Sequence, residues 1–136
     1  MTLPTEPIGS IPRSRALTEA IQAFDNGRIG QDELDAAYAR AVRETVEAFE
    51  ATGSPVITDG EQRKPSFITY PTHGLANIDP HGIKIEFAAG HFRQLPRLIR
   101  GPFRYQTYAD IYLTEALKYT DRPVKQAVIS ASAISL

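Results

Sequence analysis

Apolar residues recur at helical spacing in three stretches of the chain, and between these they gather in short runs of the kind that form buried strands. Leu17, Ala20, Ile21 and Phe24 follow Ser14, whose hydroxyl suits a helix start, and Asn26-Gly27 is a helix stop. The clearest helix starts near Gln31-Asp32-Glu33, with acidic residues in the first turn where the helix dipole favours them. Leu34, Tyr38, Ala41, Val42, Thr45 and Phe49 fall on one face, while Arg40, Arg43, Glu44, Glu47 and Glu50 lie mostly on the other. Gly53 ends it. A third helix is predicted over about 108–119, with Ile111, Leu113, Ala116 and Leu117 apolar and Asp121-Arg122-Pro123 as the break.

Strands are predicted near 7–11, 55–59 and 124–130. The first, Ile8-Gly9-Ser10-Ile11 between prolines, also reads as a simple loop. Residues 61–107 are rich in Pro, Gly, His and aromatics, and too long for a plain connection. They read as a β-excursion: Ile83-Lys84-Ile85-Glu86-Phe87 alternates, and Arg97–Arg100 with Phe103–Tyr105 flank Gly101-Pro102 as a hairpin. Helical crossovers between short apolar strands imply a parallel sheet and the α/β class. Three parallel strands do not cover their own faces and edges, so the chain reads as part of a larger fold.

The bulk numbers leave this picture in place. The 136 residues are 42% hydrophobic and 23% charged, with net charge -1, an ordinary globular composition. No basic stripe or acidic tail calls for nucleic acid, and no apolar run has the roughly 18 residues of a membrane helix. The N-terminus lacks the basic start and apolar stretch of a signal peptide, so a cytoplasmic location is expected by default. With no cysteine there is no disulfide and no thiolate nucleophile or ligand.

Candidate chemistry gathers at strand ends, where parallel α/β folds bind ligands. Asp59 and Glu61 flank Gly60 after the second strand. Two carboxylates at a tight turn suit an ammonium group or acid–base work, and equally suit a solvated turn. At the end of the first candidate strand, Gly9 lets a ligand approach the backbone and Ser10 offers a donor to a carboxylate. His73, His81 and His91 lack metal-ligand spacing and read as surface loop residues. Arg93, Arg97, Arg100 and Arg104, among aromatics, suit a polyanion but read first as solvated hairpin charges. Ser130, Ser132 and Ser135 have no histidine and acid partners for nucleophilic work.

Taken in order, Leu3-Pro4-Thr5-Glu6-Pro7-Ile8-Gly9-Ser10-Ile11-Pro12-Arg13, Gly27-Arg28-Ile29-Gly30-Gln31-Asp32-Glu33-Leu34, Asp59-Gly60-Glu61 and Arg122-Pro123-Val124-Lys125-Gln126-Ala127-Val128-Ile129-Ser130 resemble the start of the catalytic domain of the cobalamin-independent methionine synthases. The resemblance implies an N-terminal portion of a (β/α)8 (TIM-type) barrel, about its first three strands, with residues 1–136 as one partial domain. The family activity it implies is methyl transfer from a methyl-folate to homocysteine, as a 5-methyltetrahydropteroyltriglutamate–homocysteine S-methyltransferase. It implies substrate-binding roles for Ile8, Gly9, Ser10 and Glu61: the first three at the amino acid's carboxylate, Glu61 at its ammonium. The family's zinc is held by a histidine, two cysteines and a glutamate on later strands, so no catalytic residue and no zinc ligand is identified in this chain. Asp59 stands where the larger synthases carry histidine, which points to the shorter, single-barrel branch. Two other readings stay open: a barrel relative using another thiol or methyl donor, and a non-catalytic fragment that needs a complementary chain or the missing C-terminal barrel portion. On the family reading this chain alone is inactive.

Overall fold

The computed structural model describes residues 5–86, 90–102 and 104–130. They fall into two compact units: Met1–Pro65 with Ala109–Val128, and Ser66–Tyr108 with Ile129–Leu136.

The first unit is built on helices α1 (Arg15–Asp25) and α2 (Gln31–Ala51), with a short α3 (Asp110–Ala116). Ser14 caps α1 by accepting from Leu17 N–H at 3.2 Å, and Gly27 leaves it in the left-handed conformation that the stop requires. Glu33 closes the start of α2, its carboxylate accepting from Gly30 N–H at 3.1 Å. Leu34, Ala41, Val42, Thr45 and Val46 are the buried face of α2, one side of the stripe expected from the sequence. Val42, Val46, Ile57 and Ala116 form the core, with Phe49, Tyr119 and Val124 packed against it. Ile57 is fully enclosed, so Ile57→Val removes one methylene's worth of contact and should lower stability by about 1 kcal/mol in urea unfolding.

The expected strands are reduced to a minimum. Ile57 and Val124 make an isolated parallel bridge, with Ile57 N–H donating to Pro123 O at 3.0 Å and Lys125 N–H to Ile57 O at 2.9 Å. Residues 7–11 form no strand. Pro7 and Pro12 remove amide donors at either end, and the segment instead lies beside 58–60 through Ile11 N–H to Gly60 O at 3.1 Å and Thr58 Oγ1–H to Gly9 O at 3.0 Å. Past Val124, residues 125–130 run without ladder assignment, and 131–136, the end of the serine-bearing segment, lie outside the described residues. The neighbours are nonetheless parallel and in chain order: 9–11 beside 58–60, and 57 beside 123–125. The third helix is two residues shorter at its start and three at its end than the expected 108–119, and Lys118–Tyr119 closes it in a tight turn.

The second unit holds a short 3-10 helix (Tyr70–Thr72) and an antiparallel pair, β1 (Ile78–Glu86) and β2 (Phe92–Leu98). The hairpin is not the one expected around Gly101-Pro102. That turn is instead tied back by Asn77, whose Nδ2 donates to Arg100 O at 3.0 Å and Pro102 O at 3.1 Å. The register shifts between Asp79 and Ile83, where Gly82 lies so close to Arg97 that a Cβ would stand 2.2 Å from Arg97 Cβ. Pro96 sits within β2, which a two-stranded ribbon tolerates because each strand keeps an open edge. Among the described residues, no helix is long and apolar enough to cross a membrane.

Candidate functional site

Beyond the parallel bridge the backbone turns sharply at 58–64, and side chains hold several backbone groups of the turn. Thr58 Oγ1 donates to Gly9 O and accepts from Gly60 N–H at 3.1 Å. Gly60 has φ +63°, and a Cβ there would stand 2.8 Å from both Ile11 Cγ1 and Thr45 Cγ2. Glu61 follows with φ 55°, and is the one non-glycine residue with positive φ among the described residues. A left-handed glutamate costs on the order of 1 to 2 kcal/mol, so it persists only where its surroundings over-determine it.

Those surroundings are specific. Buried Asp59 accepts from Glu61 N–H through Oδ1 at 3.0 Å. Arg13 spreads its guanidinium over the turn, donating to Gln62 O at 3.0 Å, Lys64 O at 2.5 Å and Glu61 O at 3.5 Å. Gln62 Nε2 donates to Ile11 O and Gly60 O, both at 3.3 Å. Lys64 is 1% exposed, and its Nζ donates to Ala127 O at 2.9 Å and Gln126 Oε1 at 3.2 Å, 5.2 Å from the centre of the Tyr112 ring. The turn is therefore fastened to the N-terminal segment by Arg13 and to the 124–128 segment by Lys64.

The result places the Glu61 carboxylate over Gly9: Oε1 is 2.9 Å from where a Cβ on Gly9 would be. Burial pushes the Glu61 carboxyl above the ordinary range, with Lys64 and Arg13 pulling it down and Asp59 pushing it up. Burial likewise pushes the Lys64 ammonium below its usual value, against the pull of Glu61 and Asp59. A partly desolvated carboxylate above a bare glycine backbone is suited to receive a cation that brings its own hydrogen-bond donors, such as a primary ammonium.

Of the residues singled out from sequence, Gly9 and Glu61 are brought together. Ser10 is exposed, and the Ile8 side chain is 95% exposed, so whatever Ile8 contributes comes from its backbone. Asp59 faces inward rather than toward solvent, its Oδ2 buried with no hydrogen-bond partner among the described residues. Arg13, Thr58 and Lys64 were not legible as site residues; the one signal for Arg13 was its place in the opening motif, and a lone lysine in a turn carries none. His73, His81 and His91 are exposed, as are Arg97, Arg100 and Arg104. A cleft of about 540 Å³ lies elsewhere, between α2 and α3, and its charged groups pair with one another, Arg63 with Asp35 and Lys118 with Glu115.

Among the described residues no three His, Cys, Asp or Glu side chains converge as metal ligands. The donors at the turn are two carboxylates with a lysine ammonium in their field, and no thiolate is present in the chain. That set does not fit a catalytic zinc, which takes about three neutral or anionic ligands at fixed geometry.

An α/β arrangement with a carboxylate corner at the ends of parallel segments fits the class of α/β proteins that bind ligands at strand ends. The comparisons narrow it. The chain is 33% identical over 92 residues to a methionine synthase of Sulfurisphaera tokodaii, covering 68% of this chain and 27% of that protein. It is 35% identical over 77 residues to a 5-methyltetrahydropteroyltriglutamate–homocysteine methyltransferase of Syntrophotalea carbinolica, covering 57% of this chain and 10% of that one. A B12-independent methionine synthase from Shewanella sp. W3-18-1, solved with selenomethionine, shares the fold over 98% of this chain and 39% of its own, with TM-score 0.75 and 19% identity. No family model matches the chain. By sequence and by fold the chain belongs to the methionine synthase family, and it spans about a quarter of the Sulfurisphaera relative's length.

Proposed function

We propose that this chain is the N-terminal part of a cobalamin-independent methionine synthase barrel, with residues 61–107 as an excursion after the second strand. Its contribution is to hold the amino-acid end of homocysteine. The Glu61 carboxylate accepts from the ligand's ammonium, while the Ile8–Ser10 backbone and the Ser10 hydroxyl donate to its carboxylate. The observation that carries this reading is the Glu61 carboxylate poised over Gly9. A relative of the same fold holds selenomethionine, an α-amino acid with the ends this corner would grip. Methyl transfer from a methyl-folate belongs to the whole enzyme, and the zinc that would activate the thiol is held by residues beyond those present here. The chain's own role is orientation: it fixes one end of the substrate so that the sulfur is presented in one direction.

The test is titration calorimetry with L-methionine and L-homocysteine. Binding to the chain, lost by tenfold or more in Glu61→Gln, is the expected result; unaltered binding to the variant would exclude Glu61 from the site. The pH dependence has a definite sign. Only the ionised carboxylate accepts an ammonium well, and the Glu61 pKa is raised by burial. Affinity is therefore steady near neutrality and falls on acidification, beginning at higher pH than for an ordinary glutamate. In the free chain the same shift works the other way. Protonation of Glu61 contributes stability that is present below the unfolded-state pKa and lost as pH rises through the raised folded value.

A further inference from the structure

The strained turn does more than bring Glu61 near Gly9, because the Glu61 backbone itself is held by two side chains, one from the N-terminal segment and one from the turn. Arg13 occupies the carbonyls of Glu61, Gln62 and Lys64 with one guanidinium, and Asp59 Oδ1 holds the Glu61 amide. Three carbonyls served by one planar fork is a geometry that lysine does not reproduce. Without these bonds nothing holds the Glu61 amide and carbonyl against the cost of a left-handed, non-glycine residue, and Glu61 relaxes to ordinary backbone angles. A flip of that kind swings the carboxylate away from Gly9, since the side chain leaves the backbone in a new direction.

We propose that Arg13 and Asp59 are positioning residues for amino-acid binding, acting through the backbone of Glu61 and without touching the ligand. This rests on the reading of Glu61 as the ammonium acceptor. Arg13 adds to the Ile11–Gly60, Thr58–Gly9 and Gln62–Ile11 hydrogen bonds in joining the segment that carries Gly9 and Ser10 to the turn that carries Glu61, and so tightens the separation between the two halves of the corner. Specificity for an α-amino acid, whose charged groups have a fixed spacing, depends on that separation.

The experiment compares the chain with Arg13→Lys, Arg13→Met, Asp59→Ala and Asp59→Asn. The Cα and Cβ chemical shifts of Glu61 report its backbone conformation without any ligand, and calorimetry with L-methionine reports the corner. The expected result is that Arg13→Met and Asp59→Ala move the Glu61 shifts off left-handed values and weaken L-methionine binding tenfold or more. Asp59→Asn keeps the Oδ1 acceptor and restores both readouts, whereas Arg13→Lys restores neither in full. Asp59→Asn and Arg13→Lys are mild enough to stay folded where the larger changes are not, and they discriminate by themselves. Glu61 shifts that stay left-handed in Arg13→Lys and Arg13→Met overturn the proposal for Arg13. Equal loss in Asp59→Asn and Asp59→Ala overturns it for Asp59. If the parent chain shows a left-handed Glu61 but binds no L-methionine, the amino-acid reading fails, and with it the assignment of a positioning role.

Discussion

Gly60→Val is expected to lower the stability of the chain by about 4 kcal/mol, most of the roughly 5 kcal/mol that a domain at the low end of the usual range holds. Two independent costs add. At φ +63° any side chain meets its own backbone, at about 1 to 2 kcal/mol and more for a β-branched residue. The new Cβ then stands 2.8 Å from Ile11 on the N-terminal segment and from Thr45 on α2, and overpacking of this sort costs about 1 to 3 kcal/mol. The Ile11 side chain is partly exposed and can turn aside, but Thr45 is buried and has no room to yield. Gly60→Ala should lose about 3 kcal/mol by the same reasoning. Urea unfolding of the three proteins measures both, and a loss under about 1 kcal/mol for the valine variant would mean that the turn does not hold this conformation.

Gly9→Ala should do the opposite: little harm to stability and a large loss of amino-acid binding. The added methyl meets Glu61 Oε1 at 2.9 Å, and that atom is the end of a flexible side chain rather than backbone. Glu61 swings aside at small cost, so the unfolding midpoint should move by less than the equivalent of about 0.5 kcal/mol. In swinging aside, the carboxylate leaves the position where it receives the ammonium, and the methyl occupies the space above the Gly9 backbone. L-methionine affinity should fall at least tenfold, about 1.4 kcal/mol. Calorimetry beside a thermal melt separates the two quantities, and an unchanged affinity would show that ligand does not enter between Gly9 and Glu61.

Helices were the most legible part of the sequence because their signal is local. Ser14, Gly27 and the acidic start at Asp32 each act within a turn of their own position, and the α2 stripe repeats often enough to fix its face. Strand character depends on partners that the sequence does not name. Residues 7–11 have the apolar content of a strand, yet Pro7 and Pro12 withhold the amides a ladder needs. In the hairpin, Gly101-Pro102 has the composition of a turn, but Asn77 and the bulge at Gly82 decide the register from a distance. The candidate site divides in the same way. Gly9 and Glu61 stand in short motifs that can be matched by eye. Arg13, Thr58 and Lys64 act through carbonyls far away in sequence, and a side chain that binds backbone leaves no complementary residue type to look for.

The parallel bridge between Ile57 and Val124 has a consequence for how the chain acquires its structure. Its partners are distant in sequence, whereas α1 and α2 meet across a short connection. The helical pair gains its contacts after closing a small loop, and the bridge only after closing a large one. The helices should therefore assemble first, with 55–64 and 123–127 joining last, so that Glu61 takes up its strained geometry in the final, slowest phase of folding. Closure entropy grows only with the logarithm of loop length, by about 0.6 kcal/mol per doubling. The intervening stretch 66–108 can thus vary greatly in length among related proteins while barely altering the energetics of that last step.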